Sequence, residues 1–362
     1  MIRNSNVQRV VQLVPAFHCE DAIGQQIRTL HKFFQQTGWE SHIVALDADP
    51  ELADQVTLWT PELAHTWRGA IWILHYALPS PLSTFFRQVE GPRVLIYHNV
   101  TPPEYFLPWA PDLAYLAWAG RQELVDLPHY VDLAIADSQF NASELQAVGF
   151  ASVSVMPILI EWNRYPPPSE LYHQVYFDPF YEYWLFVGRI VPNKRIEDLI
   201  RLVFWTRKYY HTATRLLIVG KRNNAPRYVQ WLYELRSALH LSPQDVAFLG
   251  VVSYHELASL YTYARLFITL SDHEGFCLPV LEAMHYGTPV IAYAAGALPE
   301  TVGHGGALVT TRDFTILSEW IPEYLQQVEQ DPKHPERVHT HLAQFDPEPY
   351  LIFLRQQLEA LV

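Results

Sequence analysis

The chain has 362 residues, 49% hydrophobic and 17% charged, which is more than one core usually spans, so two packed domains are expected. A net charge of −13 argues against nucleic acid as the main partner, because phosphate backbones are held by clustered Lys and Arg, and it weakens a broadly basic membrane-binding face. The two cysteines, Cys19 and Cys277, stand far apart, so no disulfide framework is expected and a reducing cytoplasm is the natural compartment.

At the start, the apolar run Val10 to Phe17 is interrupted by Gln12 and Pro15 and does not read as a signal peptide. It reads as a strand, Val10 to Ala16, followed by a loop with Asp21 and Gly24. Ile23, Ile27, Leu30 and Phe34 then repeat at helical spacing. Asp21 suits the cap of that helix, and Gly24 would let the loop come close to a ligand. Further strands are expected at Ser41–Leu46, Ala70–His75, Arg93–His98, Val131–Ala136 and Ser152–Met156, with helical stretches between several of them. This alternation predicts an α/β protein with parallel sheets. His75 and His98 each close a strand. Asp137-Ser138 follows another, where helix capping explains it. Asp47-Ala48-Asp49 has the spacing of a metal-binding D-x-D, but it precedes Pro50 and reads as an ordinary loop. No run approaches the ~20 apolar residues of a membrane helix.

The passage Pro157 to Glu182 breaks the rhythm with prolines and aromatics and reads as a connector. Alternation restarts with strands at Tyr183–Val187, Arg215–Val219, Val246–Leu249, Leu266–Leu270 and Thr288–Tyr293. The first of these ends at Gly188-Arg189, with Lys194-Arg195 just beyond. Gly188 lets backbone approach a ligand. Arg189 can fork onto phosphate oxygens, and Lys194 adds a point charge. Lys221 and Val251 follow the next two strands. Then comes Ser-Asp-His-Glu274-Gly275-Phe276-Cys277-Leu278-Pro279, a polar loop entering a helix at a proline, with Glu282 one turn in and Gly287 placed to end it. A helix start at a strand's carboxyl end attracts phosphate. Carboxylates there are electrostatically tolerable only where they face neutral hydroxyls. His339-Thr340-His341 lacks further ligands at metal-binding spacing. The tail, Pro347 to Val362, carries Tyr350, Leu351, Leu354 and Leu358 as an amphipathic helix.

Glu274 and Glu282, with seven residues between them, resemble the E-x7-E motif of the retaining glycosyltransferases of family 4. The surrounding E-G-F-C-L-P-V-L-E-A-M-x-x-G-x-P-V-I-A is similar to that family along its length. Gly188 to Lys194 resembles its G-R-x-x-x-x-K-G element, with Arg195 where glycine is usual. The resemblance implies the GT-B fold: two Rossmann-like domains whose parallel sheets face each other across a cleft. Residues 1–165 would bind the acceptor and 166–346 the nucleotide sugar, with the helix 347–362 returning to the first domain. It implies transfer of a hexose from a GDP- or UDP-linked donor to a glycan, lipid-linked or small-molecule acceptor, with retention and without a metal, in polysaccharide or glycoconjugate synthesis. Arg189 and Lys194 would stabilise the leaving diphosphate. Glu274 would orient the sugar, His98 would hydrogen-bond near it, and Glu282 would hold ribose hydroxyls. Gly24, Gly188, Lys221, Val251, Gly275, Phe276, Cys277 and Leu278 would line the donor site. Peripheral contact with the inner face of a membrane stays open. The alternatives are a GT-B epimerase acting on nucleotide sugars and a non-catalytic nucleotide-sugar-binding protein.

Overall fold

The computed structural model describes residues 8–18, 21–210 and 212–362, and Cys19 lies outside the described residues. Two compact units emerge. The first takes in the chain as far as Val100, Leu116–Glu161 and Phe345–Val362; the second comprises Thr101–Tyr115 and Trp162–Gln344.

In the first unit the parallel strands are β1 (Arg9–Phe17), β2 (Glu40–Ala48), β3 (Thr57–Leu58), β4 (Ile71–Tyr76), β5 (Arg93–Tyr97), β6 (Leu133–Ala136) and β7 (Val153–Val155). Their spatial order is β3-β2-β1-β4-β5-β6-β7. Strands covered by helices on both faces should be apolar throughout, and every residue of β4 is buried. Ile27, Leu30 and Phe34 of the helix Ala22–Gln36 turn inward, while Asp21 caps its start by accepting from the N–H groups of Ile23 and Gly24. One core gathers Val10, Leu30, Phe34, Ile73, Ile96 and Ile135. Leu354 and Leu358 of the C-terminal helix Pro347–Glu359 join it. Truncating either leucine to alanine should cost about 2–5 kcal/mol.

The second unit repeats the design with β8 (Glu182–Val187), β9 (Thr214–Val219), β10 (Val246–Gly250), β11 (Leu266–Thr269), β12 (Val290–Tyr293) and β13 (Ala307–Val309), all parallel, in the order β10-β9-β8-β11-β12-β13. In both sheets the order reverses beside the first strand, at β1/β4 and at β8/β11. Open α/β sheets bind ligands beyond the carboxyl ends of the strands at such a point.

Three features depart from the sequence reading. The edge strands β3 and β13 are two and three residues long, too short for a periodic signal. The passage expected as a connector is packed from Trp162 onward: Trp162 stacks on His285 at 4.7 Å, and the helix Glu170–Tyr176 lies along the helix Tyr254–Tyr263, with His173 4.4 Å from the Tyr263 ring. Residues 101–115, which follow β5, belong to the second unit, where Trp109 meets the rings of Tyr228 at 5.4 Å and Trp231 at 5.0 Å.

Candidate functional site

At the switch point of the second sheet, two loops are sewn together. The loop after β8 contributes Asn193, whose side-chain amide donates to the His273 carbonyl at 3.0 Å and whose own carbonyl accepts from the Asp272 N–H at 2.8 Å. These bonds bring Lys194 against Glu274, and the ammonium and carboxylate form a largely buried ion pair. Arg189 stands exposed at the end of β8, with no side-chain partner among the described residues. Lys221 and Val251 are also exposed, in the loops after β9 and β10. Backbone bonds lace these strand ends together: Gly188 N–H to Val219 O at 2.9 Å, and Gly220 N–H to Gly250 O at 2.8 Å. The backbones run so close that a Cβ on Gly220 would lie 1.9 Å from the Gly188 carbonyl oxygen.

Arg195, where glycine would be usual, takes the left-handed conformation (φ 55°, ψ 41°). That conformation costs a side-chain-bearing residue roughly 1–2 kcal/mol. Its guanidinium is committed to Asp198 at 2.7 Å, Glu197 at 3.2 Å and Asp272 at 3.6 Å, so it braces the loop. Arg312 holds Asp272 from the other side and donates to the Leu270 carbonyl at 3.0 Å.

Beyond Glu274 the chain turns sharply. Cys277, just ahead of the helix Leu278–His285, is also left-handed (φ 76°). Its thiol is pushed up by burial and by the neighbouring Glu274 carboxylate, which favours the protonated form. The side chains of Phe276 and Leu278 are buried, so Gly275, Phe276 and Leu278 can offer a ligand chiefly backbone. The turn is held from behind. Ala297 N–H donates to the Glu274 carbonyl at 2.9 Å, and a Cβ on Gly296 would sit 2.6 Å from that same oxygen. Glu282, in the fifth position of the helix, is 6% exposed. Its Oε1 accepts from the Tyr165 hydroxyl at 2.9 Å and its Oε2 from the Tyr261 hydroxyl at 2.7 Å. Burial pushes its carboxyl up, and the two tyrosine bonds pull it back.

In the first unit, the strand ends around β1, β4 and β5 hold one buried row. Asp137 Oδ2 lies 2.7 Å from His98 Nδ1, His98 Nε2 lies 3.0 Å from His75 Nδ1, and His75 Nε2 lies 3.0 Å from Gln12 Oε1. Gln12 Nε2 donates to the Ile27 carbonyl at 3.2 Å, which fixes Oε1 as the acceptor facing His75. Each nitrogen then has a forced part. His75 must donate through Nε2 and, being neutral, accept at Nδ1. His98 must therefore donate through Nε2. The row closes only if it holds one proton more than two neutral imidazoles and a carboxylate carry. Burial keeps His75 neutral, aided by His98, and burial also pushes the Asp137 carboxyl up, so the additional proton belongs at the Asp137 end. Both ring nitrogens of His98 are used in this row and its side chain is 2% exposed, so a bond to substrate would require it to release a partner.

The remaining residues singled out from the sequence fall elsewhere. A Cβ on Gly24 would meet the His18 carbonyl oxygen at 2.0 Å, so this glycine is needed by its own loop. Asp49 pairs with His18 at 2.9 Å, Ser138 caps the helix Gln139–Ala147, and His341 is buried with Nε2 2.8 Å from the Thr301 carbonyl. Among the described residues, four that are not glycine have positive φ: Asn99, Arg195, His240 and Cys277. Three of them adjoin His98, Lys194 and the Glu274 loop, and such strain tends to gather at functional sites. The sequence reading did not count Gln12, Asp137, Tyr165, Asn193, Tyr261 and Gly296 as contributors; Asn193, inside the Gly188–Arg195 element, and Asp137, at a strand end and read as part of a cap, lay where a local signal pointed.

Residues 176–341 match the family of glycosyl transferases group 1. The chain is 33% identical over 148 residues to the O-antigen chain mannosyltransferase B of Escherichia coli, covering 40% of this chain and 37% of that protein. It is 28% identical over 230 residues to the GDP-mannose-dependent alpha-mannosyltransferase of Mycobacterium tuberculosis, covering 62% of this chain and 56% of that protein. The matched region thus spans about half or less of these curated relatives. Among solved structures, Anabaena Alr3699/HepE in complex with UDP and glucose superposes with a TM-score of 0.76 at 18% identity, over 98% of this chain and all of that one (100%). The likeness establishes the GT-B fold.

Proposed function

We propose, for a chain whose residues 176–341 match the group 1 glycosyl transferases, retaining transfer of a hexose from a nucleotide-diphosphate sugar to a hydroxyl acceptor. One observation carries this reading: Lys194 and Glu274, 80 positions apart, meet at the β8/β11 switch point, so a cation and a carboxylate stand together where a ligand of this fold would bind. A sugar diphosphate needs such a pair. As the glycosidic bond breaks, negative charge grows on the departing phosphate, and Lys194 and Arg189 stabilise it more than they stabilise the ground state. Glu274, released from Lys194 by the incoming phosphate, turns to sugar hydroxyls. The acceptor hydroxyl attacks from the leaving-group face, and the departing phosphate takes its proton. The fixed cations supply what a metal would supply in other transferases. Glu282 holds the ribose, and Lys221 and Val251 flank the nucleotide. His98 orients the acceptor side only if its bond to His75 opens.

The mannosyltransferase relatives favour a GDP-linked mannose as donor, and the UDP complex of the structural neighbour makes UDP-glucose the second donor to test. The acceptor is a glycan, lipid-linked or small-molecule hydroxyl, as in polysaccharide or glycoconjugate synthesis, with the reaction run in the cytoplasm. No described helix is long and apolar enough to cross a membrane. Thermal melting against GDP- and UDP-linked hexoses tests the donor. A matching nucleotide sugar at about 100 times its Kd should stabilise the protein by about 2.7 kcal/mol. No shift with any of them would overturn the reading.

A further inference from the structure

The carboxylate of Glu282 offers about four acceptor positions, two on each oxygen. Two are spent inside the protein, one per oxygen, on the hydroxyls of Tyr165 and Tyr261. One position is left on each oxygen. A group with a donor for each, spaced by two adjacent carbons, would complete the carboxylate, and a ribose 2′,3′-diol has that pattern. We propose that Tyr165 and Tyr261 are positioning residues that hold the Glu282 carboxylate in one orientation, so that it reads the two vicinal hydroxyls of a ribonucleoside diphosphate together. This rests on the reading of Glu282 as the ribose-binding group.

The surroundings favour a fixed clamp over a loose contact. Tyr261 is buried within the helix Tyr254–Tyr263, and its ring stacks on Tyr286 at 5.8 Å. Tyr165 belongs to the short turn 162–166, which is pinned to the helix Leu278–His285 and the residue after it. Trp162 stacks on His285, the Tyr165 ring lies 5.6 Å from His285, and the Tyr286 hydroxyl donates to the Pro166 carbonyl at 2.8 Å. The two tyrosine bonds also oppose the effect of burial on the carboxyl, which would otherwise favour a protonated acid with fewer acceptor positions.

Calorimetric titration with GDP, UDP and their 2′-deoxy forms tests this on the whole chain. The wild type should prefer the ribose form by about tenfold or more, the scale of one hydrogen bond to a charged group. In Tyr165→Phe, and separately in Tyr261→Phe, that preference should shrink to under about threefold, which a merely structural loss would not cause. Should Glu282→Gln abolish the preference while both tyrosine variants keep it, the clamp is wrong and the ribose reading stands. A Tyr165→Phe protein that binds the ribose form more tightly would also overturn it, since the hydroxyl would then be a competitor for the site. If Glu282→Gln keeps the preference, or neither nucleotide binds, the ribose reading fails and takes the clamp with it.

Discussion

Asp137→Asn probes the buried row of the first unit. The substituted amide keeps the shape and can donate an N–H to His98 Nδ1, but it cannot carry the additional proton. The row needs that proton because the Gln12 oxygen, fixed by the Ile27 carbonyl, stands at one end and Asp137 at the other. In the wild type the hydrogen-bonded row therefore keeps one proton in the folded state above pH ~6.5 that the unfolded chain does not hold. With one more proton on the folded side, stability must fall as pH rises, by about 1.4 kcal/mol per pH unit, until the row releases it. In the variant, both folded and unfolded states are neutral there, and this slope disappears. The neutral state of His75 affects both proteins alike and cancels in the difference. At pH near 6.5 the variant should be less stable by about 1–3 kcal/mol, for an amide N–H left without a partner. Urea unfolding of both proteins between pH 6.5 and 9 would show the two stabilities converging. Parallel curves across that range would mean that the folded row holds no additional proton and that the hydrogen-bond directions at Gln12, His75 and His98 are wrong.

Two substitutions separate the cations around Glu274. Lys194→Ala should lower turnover by ~10²-fold or more, the scale of one donor to a developing anion, assayed where a melt shows the variant folded because Glu274 loses its partner. A loss below about threefold would remove Lys194 from the mechanism. Arg195→Gly relieves the left-handed strain but gives up ion pairs to the buried Asp198 and Glu197, which keep Arg201, Arg312 and Tyr228 as partners, and gains chain entropy on unfolding. Its stability should stay within about 1 kcal/mol of wild type and its turnover within about threefold. A tenfold loss of turnover would make Arg195 a third cation after all.

What the sequence made legible was what local patterns encode. Strand ends, the glycines after them and the charged residues just beyond placed Gly188, Arg189, Lys194, Glu274 and Glu282 on loops or a helix of one sheet. The helix start at Pro279 and its end at Gly287 follow from backbone restrictions that any context respects. What was not legible depends on chain segments meeting in space. Tyr165 reaches Glu282 across 117 positions, and Gln12 reaches His75 across 63. Asn193 became a stitch only because the β11 loop lies beside it, and Gly296 became necessary only because the Glu274 carbonyl presses on it. Asp137 beside Ser138 read as part of a cap, and the serine alone supplies the cap. Residues 101–115 carried no sign that they leave the first unit's strand pattern to pack on the second.

We propose that cations and a helix start gather where a diphosphate leaves, while Glu274, once freed from Lys194, and Glu282 address hydroxyls. Mixing the full chain with a nucleotide-diphosphate hexose and a panel of hydroxyl acceptors, then following free nucleoside diphosphate and the anomeric configuration of the product, tests it most directly. Release of nucleotide that depends on acceptor, with the donor's configuration kept in the new bond, is the predicted result. Tight donor binding with no nucleotide released for any acceptor, or a product of inverted configuration, would contradict it.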